Sequence, residues 1–183
     1  MHLQLSRHRR LRRWLIRPRQ GYLPQSQSAV KIRDATREDA AAACEVLRAS
    51  ISKLCVADHQ NDPVVLGRWL ANKTPENVAL WATDPDAALL LAVEDDVVLA
   101  VGSVRNDGEI TLNYVSPAAR FRGASSALLA ALEARAKERG NSHCKLLSTD
   151  TAHRFYLDRG YVGIGAPQRK FGTSSSYPMT KKI

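Results

Sequence analysis

The sequence lacks most features of secreted, membrane-spanning or metal-binding proteins. It has only three cysteines, Cys44, Cys55 and Cys144, an odd and scattered set that cannot form a disulfide framework. Reduced thiols and a cytoplasmic location are therefore expected. The longest strictly apolar run covers residues 87–93, far short of a membrane span. Cys55 and His59 are four residues apart, but no further ligands cluster near them, so no metal site is expected.

The common nucleotide-binding and hydrolase motifs are also absent. Neither G-x-G-x-x-G nor G-x-x-x-x-G-K-[ST] occurs, and no spacing of serine, histidine and aspartate indicates a catalytic triad. What is present is an ordinary globular composition, with 44% hydrophobic and 25% charged residues in a chain of 183. This length is enough for one domain with a substantial core.

The formal net charge of +9 is concentrated at the N-terminus. Residues 1–28 have seven arginines and no lysine or acid; without those seven, 20 basic residues face 18 acidic ones, a net charge of +2. The sequence therefore predicts a basic, flexible arm over 1–28 and one folded domain over 29–183. Such an arm is typical of a solvated tail, an extension from an upstream start codon, an organelle transit peptide, or a segment that binds nucleic acid or an acidic membrane.

Local patterns in the remainder predict an α+β (mixed α/β) fold. Thr36 and Asp62 are suited to begin two helices after a first strand, and residues 74–83 are ambiguous. A turn at 106–108 between β-rich runs predicts a hairpin. The order β-α-α-β-β-β-α-β-α-β-β indicates a central, mostly antiparallel mixed sheet with helices on both faces. The predicted strands are 29–35, 87–94, 97–105, 109–115, 145–149, 160–165 and 176–183.

A basic loop between a strand and a long helix is the strongest candidate site. Residues 120–125 read Arg-Phe-Arg-Gly-Ala-Ser. A helix that starts near Gly123 offers unpaired N–H groups and the positive end of its dipole, and Arg120 and Arg122 add charge. The loop therefore predicts a site for an anion of diphosphate size, although many such junctions are plain connections. Apolar positions with helical spacing follow at Ala124, Ala127, Leu128, Ala131 and Leu132.

This loop resembles the signature of the GNAT acetyltransferase superfamily, [QR]-x-x-G-x-[GA], which lies between a strand and a long helix. The match is residues 120–125, with Val-Ser-Pro ahead of it at 115–117. A second segment, 148–162, is similar to the family's next motif. The resemblance covers about 30–183, most specifically 109–162, and implies the GNAT fold. The matching residues of the second motif are Ala152, Phe155, Tyr156, Gly160 and Tyr161.

The resemblance implies acetyl-coenzyme A as the acyl donor. Its pyrophosphate would bind N–H groups of the loop, and its pantetheine arm would pair with backbone at the end of the preceding strand. Ser125 replaces the family's Gly or Ala, but its small hydroxyl can donate to phosphate, so we expect the site to be retained. The implied cofactor-binding residues are Tyr114, Val115, Arg120, Arg122, Gly123, Ala124, Ser125 and Ser126.

Two residues are candidates for the chemistry. Tyr156 occupies the position of the family's usual acid, and a phenol with a pKa of about 10 suits a departing thiolate; Tyr156 is also explained as a core aromatic. Glu109 opens the strand before the loop, and its spacing resembles that of the base glutamate in the histone acetyltransferase branch. Other branches use no single base, and Glu109 also fits a solvated turn residue. Strand alternation would place Asn113 on the same strand face as Glu109, Thr111 and Val115.

The acceptor is left open by the sequence. In this fold its contacts come mostly from the first two helices and their link, where Asp58 and Asp62 can attract a cationic amine, although helix capping also explains Asp62. Arg154 and Arg159 flank Tyr156 and can meet coenzyme A phosphate or face solvent. We expect an N-acetyltransferase that acts on a primary amine of a small molecule or protein by direct attack.

Two alternatives to this enzyme stay open. One is a catalytically silent acyl-coenzyme A-binding regulatory module. The other is a basic-armed nucleic-acid or ribosome-associated protein, with nucleic acid bound only through the arm. A homodimer is compatible with the family, and no membrane span is expected.

Overall fold

A twisted sheet runs through the middle of the domain. The computed structural model describes residues 29–168 and 176–183, and the predicted arm over 1–28 lies outside the described residues. Within the described ranges the sheet has seven strands in the order β1-β2-β3-β4-β5-β7-β6. All neighbours pair antiparallel except β4 and β5, which are parallel. The strands are β1 (Lys31–Asp34), β2 (Ala87–Glu94), β3 (Val97–Arg105), β4 (Glu109–Val115), β5 (His143–Ser148), β6 (Val162–Gly163) and β7 (Tyr177–Lys182).

The helices begin at residues suited to capping. Asp62 accepts hydrogen bonds from the N–H groups of Val64 and Val65, and Thr74 accepts one from Asn77. The ambiguous stretch after Thr74 is therefore a helix. The helices are α1 (Ala40–Leu54), α2 (Val56–His59), α3 (Pro63–Leu70), α4 (Pro75–Trp81), α5 (Ala124–Glu138) and α6 (Asp150–Leu157), with short 3₁₀ turns at Arg37–Asp39 and Pro117–Ala119.

The helix α5 packs against one face of the sheet. Leu128 and Leu132 are fully buried there and press against β3. The fit is close at Gly102, where an added Cβ would lie 2.8 Å from the Leu132 Cδ1 atom. Burial of each leucine contributes about 1.5–3 kcal/mol, so this face anchors α5 and with it the preceding loop. The predicted apolar face is confirmed at Leu128 and Leu132, whereas Ala127 is exposed.

The helices α1 and α4 cover the opposite face. Leu47 of α1 and Val78 of α4 pack with Leu91 and Val101 of the sheet in a second buried cluster. The expected mixed, mostly antiparallel sheet with helices on both faces is thus confirmed. Of the helices in the described part of the chain, none has both the length and the apolarity that a membrane crossing requires.

Candidate active site

The parallel strands β4 and β5 separate soon after they meet. They pair at Glu109 with Lys145 and at Ile110 with Leu146, and no later pair joins them within the described residues. The rest of β4, residues 111–115, therefore has its backbone free on the β5 side. A cavity of about 710 Å³ opens in this gap.

The cavity wall combines both sides of the sheet. One end is formed by the loop before α5 together with α6, and the other by the C-terminal part of α1. The two ends meet along β4. The lining residues are Ser50 and Leu54 of α1 with Cys55 directly after it, residues 110–115 of β4, Ala119–Phe121 and Gly123 of the loop, Ala124–Ser126 at the start of α5, Leu146, Leu147 and Thr149 at the end of β5, and Thr151, Ala152, Arg154–Tyr156, Asp158 and Arg159 around α6.

A β-bulge reorients β4 where it leaves β5. The register with β3 skips Thr111, because Ser103 pairs with Leu112 and Val104 pairs with Ile110. Ile110 consequently packs in the α5 cluster, whereas Leu112, two residues later, packs in the α1 cluster. The prediction from regular alternation was therefore wrong: Asn113 does not share a strand face with Glu109.

The loop leads into α5 through a glycine in the left-handed region. Gly123 has φ of +82° and its Cβ position is open, with no atom within 4 Å. The N–H groups of Ser126 and Ala127 both donate to the Gly123 carbonyl at 3.0 Å. The N–H groups of Ala124 and Ser125 have no hydrogen-bond partner within the described residues. Such groups at a helix N-terminus, aided by the helix dipole, can bind an anion.

The arginines around this loop have different partners. Arg122 forms an ion pair with Glu94 at the end of β2 and does not line the cavity. Arg120 lines the cavity and lies 4.6 Å from the ring centre of the exposed Phe121. The side-chain charge of Arg122 is thus already paired, and of the two loop arginines only Arg120 lines the cavity.

Arg159 is positioned to add positive charge to the predicted anion site. It lines the cavity, donates to the Ser126 hydroxyl, and donates to the Phe155 carbonyl at 3.0 Å. Its guanidinium also stacks 3.7 Å from the Phe155 ring centre. These contacts hold a positive charge beside the first turn of α5. The sequence left Arg159 open between coenzyme A phosphate and solvent, because α6 and α5 meet only in the folded chain.

Tyr156 lies deep in the cavity wall. Its side chain is buried, and this burial raises its pKa to about 12, although a contact with the Asn113 side chain works in the opposite direction. The phenol therefore keeps its proton throughout the neutral range. The Asn113 Oδ1 atom is buried and has no hydrogen-bond partner within the described residues. Asn113 and Tyr156 are thus brought together where β4 and β5 diverge.

The other predicted residues of β4 have different positions. Tyr114 and Val115 line the cavity. Burial raises the pKa of the Tyr114 phenol, and a hydrogen bond with Trp69 opposes this shift. Glu109 lies at the start of β4, where its N–H donates to the Asp107 carboxylate, and it is not among the residues that line the cavity. This position does not favour its predicted role as a base.

The acidic residues near α2 have structural partners. The Asp58 carboxylate accepts a hydrogen bond from the Asp150 N–H at 2.8 Å, which joins α2 to the start of α6. Asp62 caps α3. His59 is fully buried; its Nε2 lies 3.2 Å from the Ile51 carbonyl, and its Nδ1 accepts from the Asn61 N–H. The part of the chain that the structure describes contains no cluster of three or more potential metal ligands.

Comparison with known proteins identifies the family. A family model described as an acetyltransferase (GNAT) domain matches residues 55–183. This chain belongs to the GNAT acetyltransferase family. By that membership it is an acyltransferase enzyme. No protein of curated function matches it significantly in sequence.

Solved structures share the fold. A GCN5-related N-acetyltransferase from Rhodopseudomonas palustris is 26% identical with a TM-score of 0.74, covering 89% of this chain and 100% of its own. The PaiA N-acetyltransferase from Thermoplasma acidophilum, in complex with coenzyme A, is 19% identical with a TM-score of 0.73, covering 85% and 99%. YncA from Salmonella typhimurium, with its cofactor acetyl-CoA, is 23% identical with a TM-score of 0.60, covering 85% and 94%.

Proposed function

We propose that this acetyltransferase moves the acetyl group of acetyl-CoA to a primary amine, by direct attack within a ternary complex. The observation that carries the proposal is the cavity between β4 and β5, which joins the open N-terminus of α5 to the α1 side of the sheet. A donor and an acceptor can therefore approach one point from opposite ends. The coenzyme A and acetyl-CoA complexes of PaiA and YncA support the choice of donor.

The donor would bind mainly through backbone. The pyrophosphate would lie on the free N–H groups of Ala124 and Ser125, with Gly123 allowing close approach and Arg159 supplying charge. The pantetheine arm would pair with the unpaired edge of β4 near Val115. Ser125 presents its own N–H in the first turn of α5, so its hydroxyl in place of the family's Gly or Ala is compatible with this binding.

The reaction needs one bond to form and one to break. The lone pair of the neutral amine attacks the thioester carbonyl carbon, and collapse of the tetrahedral intermediate breaks the C–S bond. Tyr156 donates its proton to the departing sulfur, and the proton lost by the nitrogen restores the phenol. No phenolate accumulates, in agreement with the pKa of about 12 for Tyr156. The products are the acetylated amine and the free thiol.

The proposed mechanism uses no carboxylate base. Glu109 lies outside the cavity wall, so the amine reaches the thioester already neutral. A Glu109→Gln variant tests this choice by steady-state kinetics. We expect less than about a twofold change in kcat/KM, whereas a general base is worth about 10²–10⁴-fold. A loss in that larger range would restore Glu109 as the base.

A thiol-release assay tests the function as a whole. The full chain is incubated with acetyl-CoA and a panel of amines, and the acetylated product is identified by mass spectrometry. We expect one thiol for each acetylated amine. Acetyl-CoA binding without transfer to any amine would favour the silent regulatory module instead.

Further parts of the proposal concern the N-terminal arm, the cellular location and the oligomeric state. We place the catalytic domain at 29–183 and the protein in the cytoplasm, since Cys44, Cys55 and Cys144 are buried free thiols. A homodimer and nucleic-acid binding by residues 1–28 are secondary proposals. Deletion of 1–28 should abolish any salt-sensitive nucleic-acid binding and leave acetyl transfer intact; unchanged binding would contradict an arm-driven interaction.

A further inference from the structure

The acceptor end of the cavity carries no carboxylate. All 18 acidic residues of the chain lie in the described ranges, because residues 1–28 and 169–175 contain none. Asp158 is the one acid in the described cavity wall, and it lies 4.0 Å from the Arg154 Nε atom beside the loop end. A cationic acceptor therefore meets no negatively charged side chain on the α1 side.

The same end offers no side-chain base. The cavity wall formed by described residues contains no histidine. The buried His59 bonds through both ring nitrogens to its own neighbourhood, at Ile51 and Asn61. The Cys55 thiol lines the wall, but burial raises its pKa to about 12, so it stays protonated. Among the described residues of this end, an ammonium group would find no side chain to take its proton.

The lining on the α1 side is apolar with neutral polar groups. Leu54 and Leu112 provide apolar surface, and Ser50 and Thr111 provide hydroxyls. Where the two ends meet, beside Tyr156, the buried Asn113 Oδ1 atom has no hydrogen-bond partner among the described residues and is an uncharged acceptor. It can receive a hydrogen bond from an amine N–H. The arginines that the described wall contains, Arg120, Arg154 and Arg159, belong to the loop end and to α6 with the residues that follow it.

We infer that the acceptor is a weakly basic amine on an uncharged, apolar body, bound as the neutral amine through the Asn113 side-chain oxygen. The inference rests on the proposed acetyl transfer. An α-amino group next to an amide or peptide bond fits this description. Its pKa of about 8, against about 10.4 for an alkylamine, makes it about 200-fold richer in the neutral form at pH 7. Polycations do not fit, because several charges would be desolvated without a partner.

A matched pair of amines tests the inference on the full chain. Leucinamide and 3-methylbutylamine share one apolar body and differ by the carboxamide that lowers the amine pKa; spermidine is the polycation. With acetyl-CoA at pH 7, we expect kcat/KM for leucinamide to exceed that of either other amine by at least about tenfold. Its kcat/KM should rise with pH and level off near the pKa of the amine, about 8. A short neutral peptide with N-terminal leucine distinguishes a protein N-terminus from a small molecule.

Two results would overturn the inference and leave acetyl transfer standing. One is equal or better turnover of 3-methylbutylamine or spermidine at pH 7. The other is a kcat/KM for leucinamide that falls as the pH passes the pKa of the amine, because the ammonium form would then be the one bound. Absence of thiol release with every amine would instead remove the proposed function, and the inference with it.

A charge introduced at the acceptor end provides an independent test. Thr111 is exposed and lines the cavity, so Thr111→Asp adds a carboxylate there, and Thr111→Asn is its uncharged control of similar shape. We expect Thr111→Asp to raise kcat/KM for spermidine relative to leucinamide by about threefold, and Thr111→Asn to leave the ratio unchanged. Equal ratios in the two variants would contradict the inference.

Discussion

The two ends of the cavity are built in opposite ways. The loop end is contiguous in sequence, positively charged and made largely of backbone N–H groups before α5. The α1 end is assembled from separate elements, and none of the described residues that line it is charged. In the proposed function, the loop end would bind an anion through backbone donors that Gly123 and its small neighbours leave accessible. The α1 end would, on the inference drawn above, favour a neutral ligand because no charged side chain of the described residues lines it.

The largest expected effect comes from charge at the loop end. Gly123→Asp places a carboxylate where the pyrophosphate would lie, in a backbone region with φ of +82°. We expect coenzyme A binding, measured by calorimetry, to weaken by at least about 100-fold, since like charges repel strongly at a partly desolvated site. Gly123→Asn is the matched control, because asparagine tolerates positive φ and has no charge; it should weaken binding far less. Normal affinity in Gly123→Asp would refute the anion site.

The next largest effect is expected at Tyr156, where a substitution should change kcat but not coenzyme A binding. Tyr156→Phe should lower kcat by about 100-fold, because it removes the donor to the departing sulfur. Tyr161→Phe is the control: its ring lies 5.4 Å from that of Tyr156, it is equally buried, and it does not line the cavity. Both variants should bind coenzyme A normally. Equal kcat values for the two variants would exclude the acid role of Tyr156.

A smaller effect distinguishes two arginines near the loop. Arg159→Gln should weaken coenzyme A binding by about tenfold, because a charge-assisted contact at a partly buried site contributes about 1.5–3 kcal/mol. Arg122→Gln should change it by about twofold or less, because Arg122 is exposed and already paired with Glu94. Calorimetry on both variants checks the order. The reverse order would show that Arg122 leaves Glu94 when the ligand binds.

The last prediction is that kcat does not change over an alkaline pH range. The folded-state pKa of Tyr156 is raised, so its proton is held at lower pH and lost only as the pH rises through about 12. With a weakly basic acceptor, kcat should therefore stay level from about pH 9 to 10.5. A stopped-flow or steady-state profile checks this range. A decline centred near pH 10 would mean that the phenol is solvated as in free tyrosine.

Sequence reasoning was most successful for elements of the fold that are local in the chain. The loop at 120–126 and the order of strands and helices follow from glycine, charge and apolar spacing within short windows. No local sequence pattern predicts the β-bulge at Thr111. Because of this bulge, Asn113 and Glu109 do not lie on the same strand face, although regular alternation had predicted that they would. The contact of Arg159 with Ser126 and the capping of α6 by Asp58 depend on packing between distant segments. The uncharged α1 end of the described cavity wall likewise forms only when α1 and β4 come together.

Amine acetylation by the wild-type chain and the Tyr156→Phe variant tests the central claim most directly. Both proteins are given acetyl-CoA and leucinamide, and the thiol released is compared with the mass of the acetylated amine. We predict one thiol for each acetyl group transferred, at a rate about 100-fold lower in Tyr156→Phe. Thiol release without acetylated amine, or at the same rate in both proteins, would contradict the account.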